Sequence, residues 1–288
     1  MHKSFDALTG QRFGTGQSIR GRTGGWWRLR QRILRRWIRG GLSGTQAGWA
    51  LKTDLFDEAS GPYHHMLDLD PCTHLLGMDT DLGIVRAAHS RLELEGCEAR
   101  LVVCDVRALP FACSSLAVVL SLSTLDHFQE LGSISASLSE IARALRLGGR
   151  LLLTLDNPRN PEVALRAKLP SGLVRRLRAD DFPLGMTLDR RQAEVIFRQF
   201  ELEILSTGSL IHAPRYVAIR FLDWLERKNA AGLARGLAGL LEALEVLSQW
   251  PVSAVTGHYV GWSLRKTGEP VLEGGSRART RQEEAQAG

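Results

Sequence analysis

The sequence lacks the features that several protein classes require. Its four cysteines in 288 residues include no C-x-x-C pair and have no histidine at zinc-finger spacing, so we expect neither a disulfide framework nor a metal site. No apolar run approaches the roughly 18 residues that a membrane-spanning helix needs. The N-terminus has no apolar stretch typical of a secretory signal. We therefore expect a cytoplasmic globular protein.

Several enzyme motifs are missing as well. No lysine follows a glycine, which excludes a P-loop, and neither a G-x-S-x-G elbow nor an H-E-x-x-H motif occurs. None of the three tyrosines has a lysine four residues later, which excludes the Tyr-Lys pair of short-chain dehydrogenases. The G-x-G-x-x-G fingerprint is incomplete because Ile19 stands where a third glycine would follow Gly14 and Gly16. A dinucleotide-dependent oxidoreductase is therefore disfavoured.

Positive charge is concentrated at the N-terminus. The net charge of +6 divides into +10 over residues 1–53 and −4 over residues 54–288. This division is not that of a uniformly basic nucleic-acid binder. Residues 1–25 are rich in Gly, Ser, Thr and Arg and are predicted to form a flexible basic arm.

Residues 26–39 predict a basic amphipathic helix that belongs to a cap over residues 26–48. Tryptophan and aliphatic side chains share one face of this helix, and arginines occupy the other. Three roles remain open, in this order: a cap over the active site, peripheral contact with an anionic membrane, and contact with nucleic-acid phosphates. The third is the least expected, so nucleic acid is an unlikely partner.

From residue 49 onward, apolar runs alternate with helical segments. Because such runs are typical of parallel strands covered on both faces, we predict a doubly wound α/β sheet of seven mostly parallel strands. This domain spans 49–266 with a helical insertion at 216–249, and a disordered tail follows at 267–288. The predicted strands are 49–51, 75–79, 99–105, 116–123, 150–158, 201–208 and 258–266.

Acidic residues close two consecutive apolar runs. Ligands of open α/β sheets bind beyond the carboxyl ends of the strands, and an acid that closes the second strand can accept both ribose hydroxyls of a nucleotide. Asp79 follows Asp54 by 25 residues, which fits that role, and Asp105 closes the next run. Either acid alone would be read as a helix cap or a solvated loop residue, but both together indicate a nucleotide site.

Three blocks in this order resemble class I S-adenosylmethionine-dependent methyltransferases of the small-molecule type: LLGMDTDLGIVRAAHSRL, LVVCDVRALPFACSSLAVVLSLSTLDHF and EIARALRLGGRLLLTLDNP. The resemblance covers 49–160 and implies the Rossmann-like strand order 3-2-1-4-5-7-6, with S-adenosylmethionine as cofactor. It implies that Asp79, with Thr80 beside it, holds the ribose. It also implies that Asp105 and the Val106 backbone face the adenine, and that Ser121 to Ser123 lie near the methionine and the methyl group.

One departure from the family concerns the loop after the first strand, which is normally rich in glycine. Residues 50–59 contain no glycine. The side chains that would take the place of the glycine-rich loop are Lys52, Thr53, Asp54 and Glu58. Lys52 would then meet the carboxylate of the cofactor, and Asp54 or Glu58 its amino group. A competing alignment places this loop at residues 66–73. It leaves too few residues before Asp79 for a helix and for the chain to return to the sheet.

The chemistry of methyl transfer needs mainly alignment of the nucleophile with the methyl group. His127, beside Asp126, is the predicted general base if the nucleophile carries a proton. His212 and Arg215 are the predicted substrate contacts, with Arg215 facing an anionic group. We expect methyl transfer to O, N or C of a small or lipid-like acceptor. The alternative is a non-catalytic adaptor of the same fold at a membrane or a protein partner.

Overall fold

The apolar runs form the strands of one central sheet. The computed structural model describes residues 4–5, 12–13, 24–60, 64–69, 74–169 and 185–268. A short antiparallel pair joins Ser4–Phe5 to Arg12–Phe13 outside the sheet. The sheet has seven strands: β1 (Trp49–Lys52), β2 (His74–Asp79), β3 (Ala99–Val103), β4 (Leu116–Leu122), β5 (Leu145–Asp156), β6 (Leu202–Leu210) and β7 (Tyr259–Lys266).

The strand order is β3-β2-β1-β4-β5-β7-β6. The first five strands pair in parallel, whereas β7 runs antiparallel to both β5 and β6. The predicted fold class and strand order are therefore confirmed. Strand β1 lies between β2 and β4, so the first strand is the one in the 50–59 alignment and not in 66–73.

Helices cover both faces of the sheet. The helix Leu82–Leu94 begins after Asp81, whose carboxylate accepts hydrogen bonds from the amides of Gly83 and Ile84. Turns of 3-10 helix lie at Met66–Leu69, Leu125–His127 and Leu244–Gln249. The helices are α1 (Gly25–Gly41), α2 (Phe56–Ser60), α3 (Leu82–Leu94), α4 (Leu131–Ala144), α5 (Pro161–Lys168), α6 (Arg190–Gln199), α7 (Arg215–Arg227), α8 (Ala231–Ala243) and α9 (Ser253–Thr256).

Alternation along the strands divides the interior into two hydrophobic cores. Leu152 faces one core together with α1, α3, α7 and α8, whereas its neighbours Leu151 and Leu153 face the other core with α4 and α6. Both faces of the central strands are therefore buried, as their uninterrupted apolar sequence requires.

Helix α1 is an integral part of the first core. Its apolar side chains Trp26, Leu29, Ile33, Leu34 and Ile38 are buried against the sheet and the inserted helices. Its arginines form ion pairs with acids of the body: Arg28 with Glu226, Arg30 with Asp57, Arg32 and Arg36 with Glu242, and Arg35 and Arg39 with Asp68. The apolar face expected to contact a membrane is thus used inside the protein, and a cap over the active site stays a prediction.

The inserted helices extend further than expected, because α7 to α9 span residues 215–256. Among the described residues, no helix is both long and apolar enough to cross a membrane. The predicted arm at 1–25 lies outside the described residues except for the strand pair and the start of α1. The predicted tail at 267–288 lies outside them after Gly268.

We expect Leu29→Ala to lower the free energy of unfolding by about 2–5 kcal/mol, because Leu29 is fully buried and its truncation leaves a cavity. The matched control is Leu94→Ala on α3, where the side chain is 88% exposed, and its effect should stay within about 0.5 kcal/mol. Urea unfolding measures both. Equal effects of the two substitutions would show that α1 does not pack as described.

Candidate active site

The parallel strands end at one edge of the sheet, where the loops after β1 and β4 contact each other. The Thr53 amide donates to the carbonyl of Leu120 at 3.1 Å, and the hydroxyls of Thr53 and Thr124 lie 3.0 Å apart. The strand order reverses between β1 and β4. Open α/β sheets bind ligands at such a reversal, so this is the candidate active site.

Asp79 is the last residue of β2, and its carboxylate is buried at this edge. It accepts hydrogen bonds from the amides of Asp81 at 2.9 Å and Leu55 at 3.2 Å. Burial and the nearby charge of Asp54 raise the pKa of Asp79 to about 7, although the two amides act in the opposite direction. The second strand therefore ends in a buried carboxylate whose two oxygens each accept one amide hydrogen bond and can each accept a further one.

Two charged side chains are buried beside the loop after β1. Lys52 and Glu58 are almost completely buried and form an ion pair of 2.8 Å. Glu58 also accepts from the amide of His65 at 3.0 Å. Burial alone would lower the pKa of Lys52, but the charges of Glu58, Asp54 and Asp57 outweigh it and raise that pKa. The side chains predicted to meet the carboxylate and amino group of the cofactor thus meet each other.

Helix α1 is attached by ion pairs to the segment that connects β1 to β2. Arg30 contacts Asp57 at 3.0 Å, and Arg35 contacts Asp68 at 2.8 Å. Burial would raise the pKa of Asp57, but the charge of Arg30 holds it well below its usual range. His65 lies 3.1 Å from Asp68 and continues the network. The predicted cap therefore contacts the loop after the first strand.

Asp105, after β3, is bound by a residue of its own loop. Arg107 donates to both carboxylate oxygens through its side chain, at 3.1 Å from Nε and 2.7 Å from Nη2. Burial would raise the pKa of Asp105, but the hydrogen bonds and charge of Arg107 lower it. The Arg107 guanidinium also lies 5.2 Å from the ring centroid of Phe128, and Val106 is buried. The acid expected to face adenine therefore already has a cationic partner.

The end of β4 carries several polar side chains. Ser123 has a left-handed backbone (φ 51°), and its hydroxyl donates to Asp126 at 2.9 Å. Asp126 also accepts from the amide of Asp156 at 3.0 Å, so it joins the ends of β4 and β5. Within the described part of the chain, the buried Ser121 hydroxyl and one Asp126 carboxylate oxygen have no hydrogen-bond partner. His127 is half-buried in the turn that follows.

His212, after β6, is held inside the protein. Its ring nitrogens lie 2.8 Å from the Thr256 hydroxyl and 3.2 Å from the Ser209 carbonyl, and its amide donates to Glu245. The residue is 4% exposed. His212 is a substrate contact in the prediction from the sequence, but these contacts indicate a structural role for its side chain.

Arg215 lies against a buried histidine, His258, that no sequence pattern predicts as part of the site. Its guanidinium is 3.2 Å from Nε2 of His258, and its amide donates to Glu162 at 2.9 Å. Burial and the charges of Arg215, Arg166 and Arg30 lower the pKa of His258 well below its usual range. His258 lies 3.7 Å from Asp156, the acid that closes β5. A neutral imidazole therefore accepts from Arg215 beside a carboxylate.

The sequence pattern marks Asp156 but not His258. Asp156 closes an apolar run, as Asp79 does, and so belongs to the strand ends where a ligand is expected. His258 precedes β7, and because β7 is antiparallel its first residue reaches the same edge where the other strands end. Only strand direction reveals this, so no local pattern marks His258 as part of the site.

Residues 59–153 match a family model described as a methyltransferase domain. Residues 59–153 are therefore part of a methyltransferase domain. Over these residues, the family predicted from the sequence is confirmed. The match begins inside α2, so it includes the ends of β2, β3 and β4 but not β1 and its loop, α1 or the inserted helices. A search of curated proteins gave no significant match.

Solved structures of this fold include enzymes with different activities. Geranyl diphosphate C-methyltransferase from Streptomyces coelicolor is 15% identical, with a TM-score of 0.52 and coverage of 82% of this chain and 79% of that one. The [4+2]-cyclase SpnF is 16% identical, with a TM-score of 0.51 and coverage of 82% of each chain. Phosphoethanolamine N-methyltransferase 2 from Haemonchus contortus is 17% identical, with a TM-score of 0.53 and coverage of 85% and 54%. These similarities confirm the class I fold of the methyltransferase domain.

We expect Glu58→Gln to destabilise the methyltransferase domain by about 3–5 kcal/mol, because it leaves the buried Lys52 charge without its partner. The double variant Lys52→Met/Glu58→Met should be less destabilised than the single one, because it removes both charges together. Urea unfolding of the two proteins measures the difference. A single variant as stable as the wild type would contradict a buried ion pair.

Proposed function

We propose that this protein is an S-adenosylmethionine-dependent methyltransferase that acts on a small or lipid-like molecule at O, N or C. The observation that carries the proposal is the buried carboxylate of Asp79 at the end of β2 in a methyltransferase domain, where each oxygen accepts only one amide hydrogen bond. The enzymes named for methylating geranyl diphosphate and phosphoethanolamine act on small molecules, which supports this class of acceptor.

The ribose end of the cofactor fits the residues present. An ionised carboxylate that is buried with few donors is costly, and two ribose hydroxyls would supply hydrogen bonds to it. Asp79 is such a carboxylate, and Thr80 follows it at the exposed start of the next turn. Asp105 would contribute its position rather than a vacant carboxylate, because Arg107 already binds it.

The methionine end fits in part. Ser121 and Asp126 offer buried oxygens without partners among the described residues, and Thr53 and Asp54 lie on the neighbouring loop. These acceptors suit an amino group. No basic side chain of that loop is left for the carboxylate, since Lys52 is paired with Glu58. When bound, the cofactor supplies an electrophilic methyl group, and the residues of the chain orient the acceptor toward it.

The acceptor would approach from the side of β5 and the inserted helices. His127, in the turn after β4, is the proposed base for an acceptor atom that carries a proton, and Asp126 fixes the turn through Ser123 and Asp156. Arg215, oriented by His258, is the proposed contact for an anionic group of the acceptor.

A second candidate is a protein of this fold that does not transfer methyl groups. The charge-filled loop after β1 favours it, because Lys52 and Glu58 occupy the space that a glycine-rich loop would open. SpnF shows that a structure of this fold can carry the name of a cyclase. Cofactor binding separates the two candidates.

We expect isothermal titration calorimetry to detect S-adenosylmethionine binding, and Asp79→Ala to weaken it by about tenfold to a hundredfold, the effect of losing hydrogen bonds to a charged group. Glu93→Ala, which removes an exposed carboxylate on α3, is the control and should leave affinity unchanged. Circular dichroism verifies that each variant is folded. No binding heat from the wild type at millimolar ligand would reject the enzyme and favour the second candidate.

We also expect ligand affinity to rise with pH through about 7, because the Asp79 carboxyl has a raised pKa and must be ionised to accept two hydroxyls. The probe is 5′-methylthioadenosine, which lacks the amino and carboxyl groups of the cofactor. Asp79→Asn should flatten the profile. In ligand-free protein the same raised pKa makes this carboxyl stabilise the fold below about pH 4 and lose that contribution as pH rises through 7. A pH-independent affinity in the wild type would contradict this role.

A further inference from the structure

The inserted helices carry an unusually apolar outer surface. We use the term insertion surface for the solvent-exposed residues of the segment 214–256, which comprises α7, α8, the 3-10 turn and α9. Large apolar patches on a soluble protein mark interaction sites. The exposed apolar residues are between 43% and 70% accessible: Val217, Phe221, Trp224, Leu233, Leu240, Val246, Trp250, Val252 and Val255.

These residues do not belong to the side of the helices that packs on the core. On α7, Ala218, Leu222 and Leu225 are buried. The exposed stripe Val217, Phe221 and Trp224 repeats at intervals of four and three residues on an adjacent side of the helix, about 100° around its axis. On α8, Ala234 and Ala238 are buried while Leu233 and Leu240 point outward. The insertion therefore has two apolar faces, and the core uses only one.

The acidic residues of the insertion are paired or partly buried, whereas its exposed charged residues are basic. Glu226 and Glu242 pair with arginines of α1, and Glu245 accepts from the amides after β6. Asp223 is partly buried. The charged residues of 214–256 that are exposed are all basic: Arg220, Arg227, Lys228 and Arg235. The insertion surface is therefore apolar and positive, without an exposed acid.

We propose that the insertion surface docks on an anionic lipid bilayer. Tryptophan is favoured at the level of the headgroups, where Trp224 and Trp250 would lie. Basic residues beside them are attracted to anionic lipids, and the absence of exposed acids removes repulsion. The contact is peripheral, since no described helix could cross the membrane.

A second copy of the chain fits this surface less well. A symmetric dimer brings the same patch of both protomers together. The four exposed cations would then face the same four cations, and like charges across an interface oppose association. An anionic bilayer complements both the apolar side chains and the charge.

Docking would place the acceptor side of the domain against lipid. Helix α7 begins at Arg215, directly after β6 and beside His258 at the edge of the sheet. A lipid-like acceptor could then reach the site from the bilayer. This consequence rests on the proposed function, whereas docking itself does not.

Vesicle flotation of the full-length protein tests the proposal. We expect at least tenfold more binding to vesicles of equal parts phosphatidylglycerol and phosphatidylcholine than to phosphatidylcholine alone, and a decrease as salt is added. Phe221→Ser/Trp224→Ser and Arg227→Glu/Lys228→Glu should each lower binding to anionic vesicles at least about tenfold, since each basic residue contributes about fivefold.

Two matched controls remove similar side chains elsewhere. Leu94→Ser/Leu147→Ser alters exposed leucines away from the insertion, and Arg191→Glu/Arg198→Glu reverses exposed charges on α6. Both controls should bind anionic vesicles within twofold of the wild type, and thermal unfolding verifies that every variant is folded.

Equal binding of the wild type to both kinds of vesicle, or binding that the insertion variants leave unchanged, would overturn the proposal. Absence of vesicle binding would also overturn it. Sedimentation velocity would then assign the surface to a second copy if Phe221→Ser/Trp224→Ser abolished self-association. Loss of docking does not affect the titration with S-adenosylmethionine, so the two proposals fail separately.

Discussion

The buried ion pair between Lys52 and Glu58 supports the loop on which the candidate active site of this protein depends. Burying two charges is unfavourable unless their remaining hydrogen bonds are made. Here Glu58 accepts from the amide of His65, and Lys52 donates to the carbonyl of Asp54. The pair lies where the resemblance to the family implies a glycine-rich loop, and the Leu55 amide of the same loop donates to Asp79. The first and second strands are therefore joined at their carboxyl ends by charge and hydrogen bonding instead of by a backbone that approaches a ligand closely.

The same electrostatics explain why helix α1 is so basic. It carries arginines that face acids of the body, including Asp57 and Asp68 near the loop and Glu226 and Glu242 on the inserted helices. The basic face of α1 and these acids are thus complementary surfaces of one structure. With its charges paired on one side and its apolar residues buried on the other, α1 connects the inserted helices to the loop after β1.

The fold alone does not determine the reaction. Structures similar to this one carry the names of a C-methyltransferase, an N-methyltransferase and a cyclase, so the chemistry is determined by side chains at the strand ends. In this chain those side chains are mostly paired with each other, as in Asp105 with Arg107 and Arg215 with His258. Asp79 is different, because each oxygen of its buried carboxylate accepts only one amide, and under the proposed function the remaining lone pairs accept the ribose hydroxyls. At the end of β4, the Ser121 hydroxyl and one Asp126 oxygen have no hydrogen-bond partner among the described residues, and the proposed function assigns them to the methionine end of the cofactor.

The sequence by itself determined the strands, their closing acids and the amphipathic helix, because periodicity and strand termination are local properties of the chain. The resemblance to a family added the order of the strands. Only the tertiary structure decided which charges pair: Arg30 with Asp57 and Arg215 with His258 join segments that are far apart in sequence, and Lys52 with Glu58 depends on how the loop turns back. It also decided that Trp26 is buried while Trp224 is exposed, since both lie on amphipathic helices and only packing selects the face that the core covers.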